Sequence, residues 1–397
     1  MERPYHHRRS GPKAACPARP AGRTHAARRS LRRRFDYAAP MLFRTAALRA
    51  LGLALCLSVL GTVGGACGQG ALGVMPGVVN DPGNLSLRRA ILSFATSQLC
   101  SEMRKRSVPL RLRDEDPVTG RFYPGTCVAQ ELANGNLFLQ FGGSGVVWTN
   151  LTKRMSFDAS AAVEYDHDFL MDGDTMYVYF RQRSTTAASF TTKLIEQPAA
   201  ISLGGVSLAQ GSAYANALGA QLVKTEIARG FTVIRDDDGA VQFGLGIIEK
   251  GQRPQAPYAR RDNGRLLLAN ERTEVHQGQR DYIGPLEITG SGEAMTLTVA
   301  VDGAPGVDVI LVPRAAGEQW LQAYLTQAAP PPLSAAPLLD EPVYSGAPWR
   351  RTVPLPEGQY YLVIDNTNAA GRTQPTTYAR DDRAALVSYA VETGDAP

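Results

Sequence analysis

Histidine and cysteine are scarce in this chain, with five of each among 397 residues. His6, His7 and His25 lie near the start, which leaves only His167 and His276 for the rest. A Ser–His–Asp triad or a Cys–His pair therefore has little to draw on. The patterns that mark common catalytic centres are also missing: there is no H-E-x-x-H, no Walker A and no G-x-S-x-G, since Gly142-Gly143-Ser144-Gly145-Val146 lacks the final glycine. No apolar run has the roughly 20 residues of a membrane-spanning helix. Net positive charge is confined to one end. The formal net charge is +5, but residues 1–66 carry +11 and residues 67–397 carry −6. A basic leader explains the pI, and no nucleic-acid partner is expected.

Residues 1–40 are rich in Arg, Pro and Ala without apolar period, and are expected to be untranslated or disordered, with Met41 as the true start. Residues 41–66 read as a signal peptide: Arg44 and Arg49 form its positive region and Leu51 to Val63 its apolar core. Small residues then lead to a cysteine, Gly64-Gly65-Ala66-Cys67. This resembles the lipobox of bacterial lipoproteins, although Gly64 stands where the family has Leu. The resemblance implies cleavage before Cys67, its acylation, and a membrane partner reached through that anchor. Gly68 after the cysteine implies an outer-membrane address in the bacterial cell envelope. Ordinary cleavage near Ala66 is the alternative.

Of the remaining cysteines, Cys16 and Cys56 fall in the removed segment, so Cys100 and Cys127 are left as a pair and are expected to form a disulfide in an oxidising compartment. Residues 67–83 read as a tether, 84–250 as an α+β domain, 251–280 as a linker or boundary, and 281–395 as a β-sandwich. In the α+β part, Asn84 is expected to cap a helix of about 22 residues, whose Leu85, Leu92, Ala95, Leu99 and Met103 follow helical steps up to Pro109. Turn signals at Asn134-Gly135, Asp172-Gly173 and Asp238-Gly239 separate β-rich segments. A second helix is expected from Ser212 to Arg229, ended by Gly230. The predicted fold class is thus an antiparallel sheet with two helices, followed by an all-β sandwich. The stretch from Arg351 to Thr367 resembles the late hairpin of jelly-roll-like sandwiches such as pre-peptidase C-terminal domains. That resemblance implies a module that binds or spaces.

The densest polar cluster is Asp166, Asp168, Asp172 and Asp174, whose oxygens around one turn are of the kind that holds Ca²⁺; no other cofactor is expected. The competing reading is a solvated strand face and a simple turn, and Asp236-Asp237-Asp238-Gly239 reads as a solvated hairpin tip. Trp148, Tyr165, Tyr177 and Tyr179 are candidates for a ligand groove, and Trp320 and Trp349 for stacking on sugars; the competing reading is core packing. The expected function is a non-catalytic envelope lipoprotein that binds or scaffolds an envelope protein, lipid or glycan. For an apolar ligand, the groove is expected between helix 85–105 and the sheet. The alternatives are a secreted hydrolase or Ca-dependent enzyme using the Asp166–Asp174 cluster or His276, and a glycan-binding module.

Overall fold

In the computed structural model the alternating segments after residue 107 pair into three antiparallel sheets. The structure describes residues 75–111, 113–150, 152–197, 208–236, 240–245, 251–260, 264–373, 375 and 384–396. Cys67, the signal peptide and Asp238-Gly239 lie outside them. The described elements begin with α1 (Met75–Val79) and α2 (Leu85–Arg104). A seven-stranded meander follows, in the order β1 (Val108–Leu110), β2 (Gly120–Glu131), β3 (Leu137–Thr149), β4 (Lys153–Asp172), β5 (Thr175–Ile195), β6 (Phe231–Arg235) and β7 (Val241–Leu245). Helix α3 (Leu208–Arg229) intervenes between β5 and β6.

Period-two alternation sets the sheet's faces. Along β4, Phe157, Ala159, Ala161, Val163, Tyr165 and Phe169 are buried, and Leu137 and Leu139 of β3 join them. Gly135 and Gly173 take the positive φ that their two tight turns require. The face is covered by α2 through Leu99, with Leu92 and Met103 packed beside it. Asn84 does not cap this helix with its side chain: its Nδ2 donates to the carbonyl of Val78, 2.8 Å away. The expected disulfide is present, joining Cys100 of α2 to Cys127 of β2 with Cα atoms 5.3 Å apart. Helix α3 ends at Gly230, as expected, with φ of +69°. It runs beside β5, where Gly219 meets the Phe190 ring so closely that a Cβ there would lie 2.1 Å from it. The side chains of Leu218 and Leu222 are outside the described set.

The remaining eight strands are β8 (Leu266–His276), β9 (Gln279–Ile288), β10 (Glu293–Asp302), β11 (Gly306–Pro313), β12 (Leu339–Tyr344), β13 (Trp349–Pro354), β14 (Gly358–Asn366) and β15 (Ala384–Asp395), with α4 (Arg314–Thr326) after β11. They form two four-stranded sheets, β13-β10-β15-β8 and β12-β11-β14-β9. Apolar residues from both sheets, among them Leu297, Val309, Leu362 and Val387, make one buried cluster. Strand β8 lies within the stretch read as a linker. The hairpin expected from Arg351 to Thr367 is something else: β13 and β14, like β10 and β11 before them, belong to different sheets, so this stretch is an arch between sheets. Their apolar residues face a shared core, which needs the chain to cross from one sheet to the other.

The meander and the eight later strands are joined by backbone and side chains. Val118 donates its N–H to the carbonyl of Arg272 and accepts from Glu274, both at 2.8 Å. Tyr123 and Val146 of the meander pack with Tyr282, Trp320 and Tyr324. The buried guanidinium of Arg154 donates to the carbonyls of Tyr324 and Gln327 just before and after the end of α4. No described helix is long and apolar enough to cross a membrane.

Candidate functional site

The acidic cluster does not converge. Asp166 pairs with Arg183 at 3.1 Å, and Asp168 is ion-paired with Arg88. Asp172 and Asp174 are exposed at the β4–β5 turn. Among the described residues no three His, Cys, Asp or Glu side chains are grouped to hold a metal ion. His167 lies on the opposite strand face, stacked 6.0 Å from Phe180, and burial lowers its pKa.

The aromatic candidates are distributed among several packing clusters. Tyr177 and Tyr179 are buried and stack side by side, with centroids 6.4 Å apart. Trp148 stacks on His276, whose Nε2 is 2.5 Å from Glu274 Oε1. Trp320 is a buried residue of α4 and donates its indole N–H to the carbonyl of Pro331 at 3.0 Å. Trp349 packs at the margin of the C-terminal core. Of the six, Tyr165 alone lines the cavity described next.

The groove expected beneath helix 85–105 is filled along Leu87 to Leu92, while at its C-terminal end Met103 and Leu139 also line a cavity. Leu87, Ile91, Leu92 and Met103 pack there against Leu137, Leu139 and Val163, and the disulfide fixes the helix in place. Open space lies beside it, over the part of the sheet next to α3. This cavity has a volume of about 310 Å³. Phe122, Phe141, Phe157 and Ala159 of the sheet form its floor, Val223 and Ile227 of α3 one wall, and Leu267 and Leu286 of β8 and β9 another. Large rings span the interface while Gly219 and Ala159 contribute little volume, so the facing elements leave a gap between them.

Five charged residues border the cavity, and four are held by close opposite charges. Arg121 bonds both oxygens of Asp281 and Glu271 Oε2, at 2.5, 3.0 and 2.7 Å. That accounts for Glu271 as well. Arg111 pairs with Asp114 at 2.7 Å, and Glu226 with Arg229 at 3.0 Å. Arg106 differs. Its Nη1 donates to the carbonyl of Val241, its nearest carboxylate is Glu102 at 3.6 Å, and its Nε has no hydrogen-bond partner among the described residues. Burial lowers its pKa against the pull of Glu102.

A segment over residues 251–260 straps this region. Gly251 bonds Tyr177 and Tyr179 through its carbonyl and N–H, at 3.3 and 3.1 Å. Arg253 and Arg260 both clasp Asp236, which is buried and is not the solvated acid expected at a hairpin tip. Two arginines brought back by the later chain make that burial tolerable. Pro254, Gln255 and Ala256 then enter the cavity wall, and Tyr258 exchanges backbone hydrogen bonds with the Asn270 side chain, at 3.3 and 2.7 Å.

The sequence reading missed Arg106, Arg121 and the strap, and it placed Asp236 in solvent. Isolated charges in polar stretches carry no signal of their partners, which are between 17 and 160 residues away where these ion pairs are long-range. The only local hint was the apolar ring content of β3, β4 and β5. Compared with known protein families the chain matches none, and no curated protein resembles it significantly.

Proposed function

We propose that this chain is a non-catalytic, membrane-anchored lipoprotein of the bacterial envelope that holds an apolar ligand in the cavity between α3 and the meander. The cavity carries the reading: at about 310 Å³ it is at the lower end of the range for ligand sites, and rings and aliphatic side chains dominate its walls. Each methylene buried there would contribute about 0.8 kcal/mol, so a short aliphatic chain supplies useful affinity without specific polar contacts. The anchor is Cys67, eight residues before the first described helix, acylated in the outer membrane after removal of the segment before it.

The C-terminal strands are read as a jelly-roll sandwich that serves as scaffold. Supporting this are the strand orders β8-β15-β10-β13 and β9-β14-β11-β12, read from the opposite end, and the one core that both sheets share. Leu267 and Leu286 from this module close one side of the cavity, so scaffold and site are one construction.

Mass spectrometry of the protein extracted from membranes tests both parts. The account expects a polypeptide beginning at an acylated Cys67, and a further non-covalent apolar mass that organic solvent releases. A chain that retains residues 1–66 would contradict the anchor, and a protein with no extractable apolar molecule would contradict the site.

A further inference from the structure

Resting on the apolar-ligand reading, we infer that the occupant is a single-chain amphiphile with an acidic head, its tail in the cavity and its head on the guanidinium of Arg106. Three observations carry this. The first is size. At about 310 Å³ the cavity is near the lower end of the range for ligand sites, which suits one medium-length chain better than a two-chain lipid. The second is the charge inventory. Arg121 and Arg111 each meet a carboxylate at hydrogen-bond distance, and Glu226 is taken up by Arg229. Arg106 is the cavity's cation with the weakest carboxylate partner: Glu102 stands 3.6 Å away and also lies 3.8 Å from Lys105. The third is position. The Arg106 side chain lines the cavity and is mostly buried, with 27% of its surface still accessible. A carboxylate there would gain a charge-assisted hydrogen bond.

The experiment titrates the purified, delipidated full chain with dodecanoate, with 1-dodecanol and with phosphatidylglycerol vesicles, and repeats this for Arg106→Gln and Arg106→Lys. Dodecanoate is expected to bind one to one and at least tenfold more tightly than dodecanol. Arg106→Gln should abolish that preference while leaving dodecanol within twofold, and Arg106→Lys should keep most of it. Retained dodecanol binding shows that the glutamine variant is folded; should it be lost, the wild-type comparison decides alone. Equal binding of acid and alcohol by the wild type, or an unchanged preference in Arg106→Gln, would overturn the head-group assignment and leave the apolar site standing. Tighter binding of the two-chain lipid would overturn the single-chain assignment. Failure of every probe to bind would overturn this inference and the proposed function together.

Discussion

Arg121 of β2 and Asp281 of β9, 160 residues apart, form a two-pronged ion pair between the meander and the C-terminal sheets, with Nε–Oδ1 and Nη2–Oδ2 distances of 2.5 and 3.0 Å. Burial works to lower the Arg121 pKa, but Asp281 and Glu271 more than offset it and hold the group well above its ordinary value. Removing one partner of a buried pair leaves a charge without full compensation. Asp281→Asn is therefore expected to cost about 3 kcal/mol, the lower end of the range for such breaks because Glu271 remains. Urea denaturation measures it, and a loss below about 1 kcal/mol would show that the pair does not hold these sheets together.

Asp236 fastens the strap. Burial pushes its carboxyl up, while hydrogen bonds and charge from Arg253 and Arg260 outweigh that and hold it below the ordinary 3.8. With the folded value depressed, its contribution is complete above pH 3.8 and disappears as pH falls through the lower folded value. Asp236→Asn should weaken the clasp by about 2 kcal/mol at neutral pH, as expected for charged hydrogen bonds. Trypsin cleavage after Arg260 should accelerate in the variant at pH 7, while the Arg253-Pro254 bond resists trypsin. Acid-induced opening, followed by hydrogen exchange in the wild type, should begin only below about pH 4. Equal cleavage of both proteins would contradict the clasp.

The disulfide closes a loop of 27 residues and keeps α2 on β2. Replacing both cysteines by serine is expected to cost about 3.5 kcal/mol in the chain-entropy account. A double variant with an unchanged denaturation midpoint would show that α2 is held by apolar packing alone.

Trp320 and Trp349 separate core from margin. Trp320 lies edge-on to Tyr282 at 5.4 Å and beneath the Arg280 guanidinium at 4.3 Å. Trp320→Ala is expected to cost about 3–5 kcal/mol, against about 1 kcal/mol for Trp349→Ala at the margin. Comparable losses in thermal denaturation would contradict this ranking.

The β-rich fold was legible because its signals are local. Alternation along β4, the Asn134-Gly135 and Asp172-Gly173 turns, and Gly230 at the end of α3 each act within a few residues. The crossing of β10 to β11 between sheets was not legible, since Asp302-Gly303 looks the same whether the following strand pairs alongside or faces across the core. Asn84 suits a cap by type, yet the chain before it offers the Val78 carbonyl instead. The expected groove was displaced for a volumetric reason: the apolar residues that make helix 85–105 recognisable are the ones that fill its interface. The cavity depends on how Gly219, Phe190 and Phe157 meet across three elements, and no window of sequence contains that arrangement.

Saturable binding of an environment-sensitive apolar dye to the purified, delipidated chain tests the central claim most directly, when compared with Ala159→Phe, which places a ring in the cavity floor. The wild type should bind one dye per chain with a blue-shifted emission, and Ala159→Phe should lose at least tenfold in affinity while keeping its far-ultraviolet circular dichroism. Binding that never saturates, or that the filled cavity leaves unchanged, would show that the space between α3 and the sheet is no ligand site.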